Sequence, residues 1–289
     1  MINLCSEEKS IRKGLNFTWR ITLIETKTLR EEEFFHDKWA GSINIDEVMV
    51  DESFEACTAA ENRLIIKKLG DLSGKKILDL GCGAGEASIY LAKKGAQVTA
   101  TDISKGMLEV VNKVAQKHNV EVFTKQSYSH QIDFDDETFD IVYAANLLHH
   151  VDIELTILEV FRVLKNGGIF VSWDPLAHNP IINIYRQIAK EVRTDDEHPL
   201  KFSDLKTFRK HFRVVETYTT WLFTLWIFIK FFFGDKINPN KERYWKKIII
   251  EHKKLENLYF PLEKLDHIIL KIFPFLRRYC WNIVVLSYK

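Results

Sequence analysis

Residues 75–85 read KKILDLGCGAG, a short apolar run that ends in three glycines at alternate positions, Gly81, Gly83 and Gly85. A run of this length, bounded by lysines on one side and glycines on the other, predicts a buried strand entering a tight turn. The ASIYLAKKG that follows has the spacing of an amphipathic helix ended by Gly95. The alternation continues outward from this unit. AQVTATD (96–102) predicts a second strand, SKGMLEVVNKVAQKHN (104–119) a helix, VEVFTKQ (120–126) a third strand and FDIVYAAN (139–146) a fourth. ILEVFRVLKNGG (157–168) then predicts a helix closed by a Gly-Gly turn, and GIFVSWD (168–174) a fifth strand. Short buried strands alternating with helices imply βαβ units, a parallel sheet and helices on both faces. The fold class is α/β, doubly wound and Rossmann-like.

Outside this block the pattern is looser. Residues 1–30 carry no periodicity that assigns structure, and EEEFFHDKWA (31–40) predicts a short helix with acidic residues in its first turn. A second helix is expected from Thr58 to Leu69, stopping at Gly70. After Asp174 helices are expected over 180–193 and 203–211. FRVVETYTTW (212–221) predicts a sixth strand and WNIVVLSYK (281–289) a last one. The organisation expected is an N-terminal segment and helical cover (1–57), a core (58–221), a mostly helical insertion between strands six and seven (222–280) and the closing strand (281–289).

The chain has 289 residues, 46% hydrophobic and 28% charged, which suits a globular protein with its own core. Its 41 basic and 40 acidic side chains nearly cancel. A nucleic-acid partner is not expected, because counterion release needs a net basic face. Cys5, Cys57, Cys82 and Cys280 form no CxxC pair, so neither a disulfide framework nor a zinc or other metal site is predicted. MINLCSEEKSIRKG lacks the apolar stretch of a signal peptide, and the expected location is the cytoplasm.

The glycine turn carries the chemistry. Glycines there tolerate positive φ and let a ligand approach the backbone, and the helix that follows offers free N–H groups to an anion. The second strand ends in Asp102, whose carboxylate can accept hydrogen bonds from both hydroxyls of a ribose. Dinucleotide sites use GxGxxG, but from Gly81 and Gly83 the third position is Glu86, which would repel a pyrophosphate. The spacing is instead DxGxGxG: Asp79, Gly81, Gly83, Gly85.

With that motif, TDISKGMLE, FDIVYAANLLHHV and EVFRVLKNGGIFVSWDP, the chain over residues 58–175 resembles the class I S-adenosylmethionine-dependent methyltransferases. It is most similar to the small-molecule group that includes the ubiquinone/menaquinone C-methyltransferases. The resemblance implies a seven-stranded sheet and S-adenosylmethionine as cofactor. It implies that Gly81, Gly83 and Gly85 line the methionine and ribose, and that Asp79 orients the loop and the ammonium group. Asp102 would hold the ribose, Ile103 and Met107 would pack near the adenine, and Asn146 would sit beside the sulfonium. Family members often place an acidic residue after the third strand to accept from the adenine amino group. Here the stretch is Gln126-Ser127-Tyr128-Ser129, and Ser127 is assigned that place.

Sulfonium methyl transfer is an in-line displacement, so positioning supplies most of the catalysis and a base is needed only if the acceptor atom carries a proton. Asn146-Leu-Leu-His differs from the [ND]PP[YFW] of amino-group methyltransferases, and no Pro-Cys pair supplies a cytosine-type nucleophile. The acceptor expected is a small molecule. Asp174, before Pro175 at the end of strand five, His178 in the next loop, and His150 beside His149 are the candidate catalytic groups; His36 in the N-terminal helix is another histidine near the expected cover.

The insertion opens with WLFTLWIFIKFFFG (221–234), the most aromatic stretch of the chain. As a helix its first 13 residues would span about 20 Å, short of a hydrocarbon core of about 30 Å. Leu222–Cys280 holds twelve Lys/Arg against six Asp/Glu, a local charge of +6 that leaves −5 for the remainder. Apolar stripes beside lysines suit an anionic bilayer surface, and equally a solvated helical face. The expectation is a lid that walls the acceptor pocket and rests on a membrane, with a hydrophobic or lipid-like acceptor. Two other readings stand beside it: a non-catalytic S-adenosylmethionine-binding protein at the membrane surface, and an NAD(P)-dependent oxidoreductase.

Overall fold

The computed structural model describes residues 29–188 and 198–289. The expectations for residues 1–28 and for the end of the 180–193 helix lie outside that range. A helix α1 over 29–40 is followed by α2 (Glu52–Glu55), α3 (Ala60–Leu69) and then the first strand, β1 (Lys76–Leu80). The alternating block runs α4 (Glu86–Lys93), β2 (Gln97–Asp102), α5 (Lys105–His118), β3 (Val122–Gln126), β4 (Phe139–Ala145), α6 (Ile153–Val163) and β5 (Leu164–Pro175). After it come α7 (Pro180–Ile188), α8 (Leu205–His211) and β6 (Val214–Thr220). The insertion contains α9 (Trp226–Ile229), a π-helical turn (Lys230–Gly234), α10 (Tyr244–Ile250) and α11 (His252–Ile272), and β7 (Asn282–Tyr288) closes the chain.

The strands form one seven-stranded sheet in the order β3-β2-β1-β4-β5-β7-β6. β1 to β5 are mutually parallel, and β7 runs antiparallel between β5 and β6. β6 is therefore an edge strand whose only pairing is antiparallel. Its C-terminal end still opens on the same rim as the ends of β1 to β5, because two antiparallel steps restore the direction.

Local chemistry sets the boundaries. Ser104 caps α5 by accepting from the Met107 N–H at 3.0 Å, and Asn119 closes it in the left-handed region at φ 53°. Asp152 caps α6 through the Leu155 N–H at 2.9 Å. The expected Gly-Gly turn after α6 is inside β5: pairing with β4 begins at Leu164 and shifts register before Ile169. The period of two divides the core. Ile77, Tyr143 and Val171 face the layer of α3, α4 and α5, whereas Leu78, Val142 and Phe170 face α6 and α8.

WLFTLWIFIKFFFG is not one helix. Trp221 takes φ +65° and turns the chain off the sheet. Asp266 of α11 then accepts the N–H groups of Leu222, Phe223 and Thr224 (3.1, 2.6 and 3.3 Å) and the Thr224 hydroxyl (2.8 Å). Those bonds hold the first residues in a turn, so helix starts only at Trp226. Five of the fourteen residues of the stretch are core: Trp221, Leu225, Ile227, Phe228 and Phe231 pack with Tyr244 and Tyr259. No helix among the described residues is long and apolar enough to cross a membrane.

Candidate active site

The glycine turn lies at the C-terminal end of β1, between the ends of β2 and β4. All three glycines have positive φ: 71° at Gly81, 51° at Gly83 and 88° at Gly85. The space around them differs. A Cβ at Gly81 would meet Leu147 at 2.8 Å and one at Gly85 would meet Val111 at 2.9 Å, so these two are needed for packing. A Cβ at Gly83 would meet nothing within 4 Å. Gly83 faces open space, and its backbone is the surface a ligand can approach.

Asp102 fixes that surface. Its Oδ2 accepts the Gly83 N–H at 3.0 Å and its Oδ1 accepts the Ser104 N–H at 2.9 Å, which leaves each oxygen with further acceptor capacity. Asp79 sits beneath, fully buried, accepting the Ser88 hydroxyl at 2.5 Å. Burial raises its pKa to about 7, and the nearby Asp102 and Glu86 carboxylates add to the shift. Burial raises Asp102 and Glu86 as well. Three carboxylates are thus gathered around one turn, and a cation brought among them would favour their charged forms. A sulfonium and an ammonium meet that requirement; a pyrophosphate does not.

Helix α1 covers the neighbouring rim. Asp37 Oδ1 accepts the Ser104 hydroxyl at 2.6 Å and the Gly106 N–H at 2.9 Å, bolting α1 to the start of α5. Gln126 Nε2 donates both to the Ile103 carbonyl (2.8 Å) and to Glu33 of α1 (2.9 Å). These contacts surround half-buried Ile103, whereas Met107 is fully buried in the main core. Ser127 is buried, and its hydroxyl lies 3.4 Å from the backbone carbonyls of Tyr128 and Gln131. Asn146 is exposed just past β4, at φ 52°, with its N–H on the Trp173 carbonyl at 2.8 Å.

The candidate catalytic residues separate. Asp174 is buried at the end of β5 and pairs with His149, not His150: its Oδ1 lies 2.8 Å from His149 Nδ1. Its Oδ2 is buried with no hydrogen-bond partner among the described residues, and burial pushes the carboxyl pKa well up. His150 lies against His149, with ring centroids 4.1 Å apart and the rings tilted by 40°. His178 is exposed in the loop after β5, and His36 lies on α1 beside Glu32 at 3.2 Å. The insertion also reaches the site. Lys246 of α10 lies close enough to Glu86 to oppose its upward shift, and it pairs with Glu47 at 3.9 Å. Thr58 donates to the Ile248 carbonyl at 2.8 Å, and Arg243 lies over the Trp39 ring of α1 at 5.0 Å.

Residues 78–172, from β1 to the middle of β5, match the methyltransferase domain family. That match covers about a third of the chain, the part that carries the glycine turn and Asp102. Over 125 residues the chain is 38% identical to a ubiquinone biosynthesis O-methyltransferase of Alkalilimnicola ehrlichii, which covers 43% of this chain and 50% of that one. Over 169 residues it is 28% identical to a sterol 24-C-methyltransferase of Schizosaccharomyces pombe, covering 56% of this chain and 44% of that one. The chain thus spans about half the length, or less, of these curated relatives. The fold matches a Haemonchus contortus phosphoethanolamine N-methyltransferase solved with phosphomonomethylethanolamine and S-adenosylhomocysteine. That match has a TM-score of 0.54 at 18% identity, over 80% of this chain and 52% of that one. The insertion lies outside the methyltransferase domain match.

Sequence reasoning missed Asp37, Glu33 and Ser88; it named His149 and Asp174 as separate candidates, not as a bonded pair. Ser88 had a signal: it stands in the first turn of the helix that packs over β1, facing back on Asp79. Asp37 had none, since its partners are 67 and 69 residues away.

Proposed function

We propose that the protein transfers a methyl group from S-adenosylmethionine to a small hydrophobic or lipid-like acceptor. The observation that carries the reading is the Gly83 surface: an open left-handed glycine whose N–H is pinned by Asp102 and whose surroundings favour a cation. Gly81, Gly83, Gly85 and Asp102 would hold the methionine and ribose, with Asp79 and Asn146 on the ammonium and sulfonium side. Ile103 would pack on the adenine, and Ser127 and Gln126 would lie at its edge. Met107 supports the wall from within the core. When bound, the cofactor supplies an electrophilic methyl group that needs only an acceptor held in line.

The acceptor reading rests on two supports. The relatives' names are sterol and ubiquinone methyltransferases. The insertion, next to Glu86 and packed through an aromatic cluster on the chain leaving β6, would wall the acceptor space as a lid. For an acceptor with a proton to lose, His149 oriented by Asp174 is the acid–base group, in place of His150; it stands two residues from Leu147, which packs under Gly81. His178 lies on the exposed loop beyond. The units are a cover (1–57), a core (58–221 with 281–289) and the insertion (222–280). The location in this reading is cytoplasmic and peripheral, at the inner face of a membrane.

Calorimetric titration with S-adenosylmethionine and S-adenosylhomocysteine, on wild type and Asp102→Ala, tests the site. Micromolar binding lost in the variant is expected, and no binding by wild type would sink the reading. A non-catalytic cofactor-binding protein would bind equally well and never turn over with a lipid extract. The oxidoreductase reading is disfavoured by Glu86 at the mouth of α4 and by the antiparallel β7.

A further inference from the structure

Helix α11 has one face in the protein and one face out, and the outward face is not polar. Leu255, Tyr259, Asp266 and Leu270 are buried. At about 100° per residue these positions share one side of the helix. On another side, Leu258, Pro261, Leu265, Ile268 and Ile272 follow one another at spacings of three and four, and all five are exposed. That is a continuous apolar seam about 21 Å long. Phe273 and Phe275, 45% and 66% exposed, continue it beyond the helix end. A seam of this length left open is unusual on a soluble surface and marks a contact.

The flank says what covers it. Lys253, Lys264 and Lys271 stand about 40° to 120° around the helix from the seam, all exposed and with no ion pair among the described residues. Arg277 and Arg278 follow just past the helix and are exposed as well. Of the acidic residues of α11, Asp266 is committed to the Leu222–Thr224 backbone and Glu263 to Arg63 at 2.7 Å, while exposed Glu256 stands on the side of the helix away from the seam. A second copy docked antiparallel on the seam would set lysine flank against lysine flank. A broad negative surface with an apolar interior satisfies both features at once.

We propose that this outward face of α11, the Leu258–Ile272 seam with its Lys264 and Lys271 flank, lies on an anionic lipid bilayer. The proposal deepens the function proposed above, on which it rests. It also relocates the membrane contact: WLFTLWIFIKFFFG gives five of its fourteen residues to the core, and α11 supplies the lipid-facing helix. The helix lies in the interface with its apolar stripe down and its lysines reaching to the headgroups.

The test is sedimentation of the full chain with phosphatidylcholine vesicles, with and without phosphatidylglycerol, for wild type, Lys264→Gln/Lys271→Gln and Leu265→Ser/Ile268→Ser. Each lysine removed is expected to weaken binding about fivefold, so the charge variant loses about thirtyfold, and added salt weakens wild type. The apolar variant is expected to lose binding to both vesicle types. Wild type that ignores phosphatidylglycerol vesicles, or a charge variant that binds them as wild type does, overturns the proposal. So does a concentration-dependent dimer that the Leu265→Ser/Ile268→Ser variant abolishes. The same proteins are titrated with S-adenosylhomocysteine. Unchanged cofactor affinity with failed vesicle binding removes only the membrane face, whereas absent cofactor affinity removes the methyltransferase reading and leaves the vesicle result to stand on its own.

Discussion

Replacing Asp79 with asparagine tests the electrostatics of the glycine turn while keeping its shape. Burial, with Asp102 and Glu86 nearby, raises the Asp79 pKa from 3.8 to about 7. The folded protein therefore keeps a proton on this group that the unfolded chain has already lost between about pH 4 and pH 7. The stability it contributes is present in full below the unfolded pKa and lost as pH climbs through the folded one. At about 1.4 kcal/mol per unit, a shift of about three units makes the loss about 4 kcal/mol. Asparagine keeps an acceptor for Ser88 and has no proton to give up. The variant should match wild type near about pH 4, and exceed it by about 4 kcal/mol above about pH 7, in the cofactor-free protein. Glu61, Asp174 and Asp266 are also raised by burial, but they slope both proteins alike. Urea denaturation across that pH range reads the gap directly. A constant gap, or a variant less stable than wild type at high pH, would refute the reasoning. In the role proposed for Asp79, the stabler variant binds S-adenosylmethionine more weakly.

Other expectations follow from single contacts. Gly83→Ala should cost the fold only about 1–2 kcal/mol, the price of a left-handed alanine, while lowering cofactor affinity at least about tenfold. Denaturation and titration of the same sample check this, and unchanged affinity would remove Gly83 from the site. Asp266→Ala strands three N–H groups and a hydroxyl, each costing about 1 kcal/mol, so a loss of about 4 kcal/mol is expected on denaturation. Asp37→Ala should free α1 from Ser104 and Gly106 and speed proteolysis within residues 29–40. Hydrogen bonds from those two groups hold the Asp37 pKa down. Its contribution is therefore present above the usual carboxylate range and lost as pH falls through the lowered value, so wild-type α1 is also cut faster in acid.

Much of this was legible because it is local. KKILDLGCGAG predicts its strand, turn and helix from neighbours in sequence, and each glycine proves to be left-handed. Gln97–Asp102 and Lys105–His118 carry the same kind of signal, with Ser104 as a cap. What failed depends on distant partners. Nothing in WLFTLWIFIKFFFG reveals that Asp266, more than forty residues away, holds its first three N–H groups and delays the helix to Trp226. The neighbours His149 and His150 look alike in sequence. Only the register that brings Asp174 beside the β4 exit selects His149. The antiparallel placement of β7 is likewise invisible in WNIVVLSYK, since a buried strand has the same composition in either direction. The glycine turn was read in place, whereas Asp37 and Glu33 had to be found in space.

Methyl transfer to a hydrophobic molecule is tested most directly by following the methyl group. The full chain is incubated with S-adenosylmethionine labelled in its methyl group and a total cell extract, which is then partitioned between water and organic solvent. Label in the organic phase, dependent on wild-type protein and lost with Asp102→Ala, is the result predicted. Label confined to the aqueous phase, or none in a protein that binds the cofactor, would contradict the account.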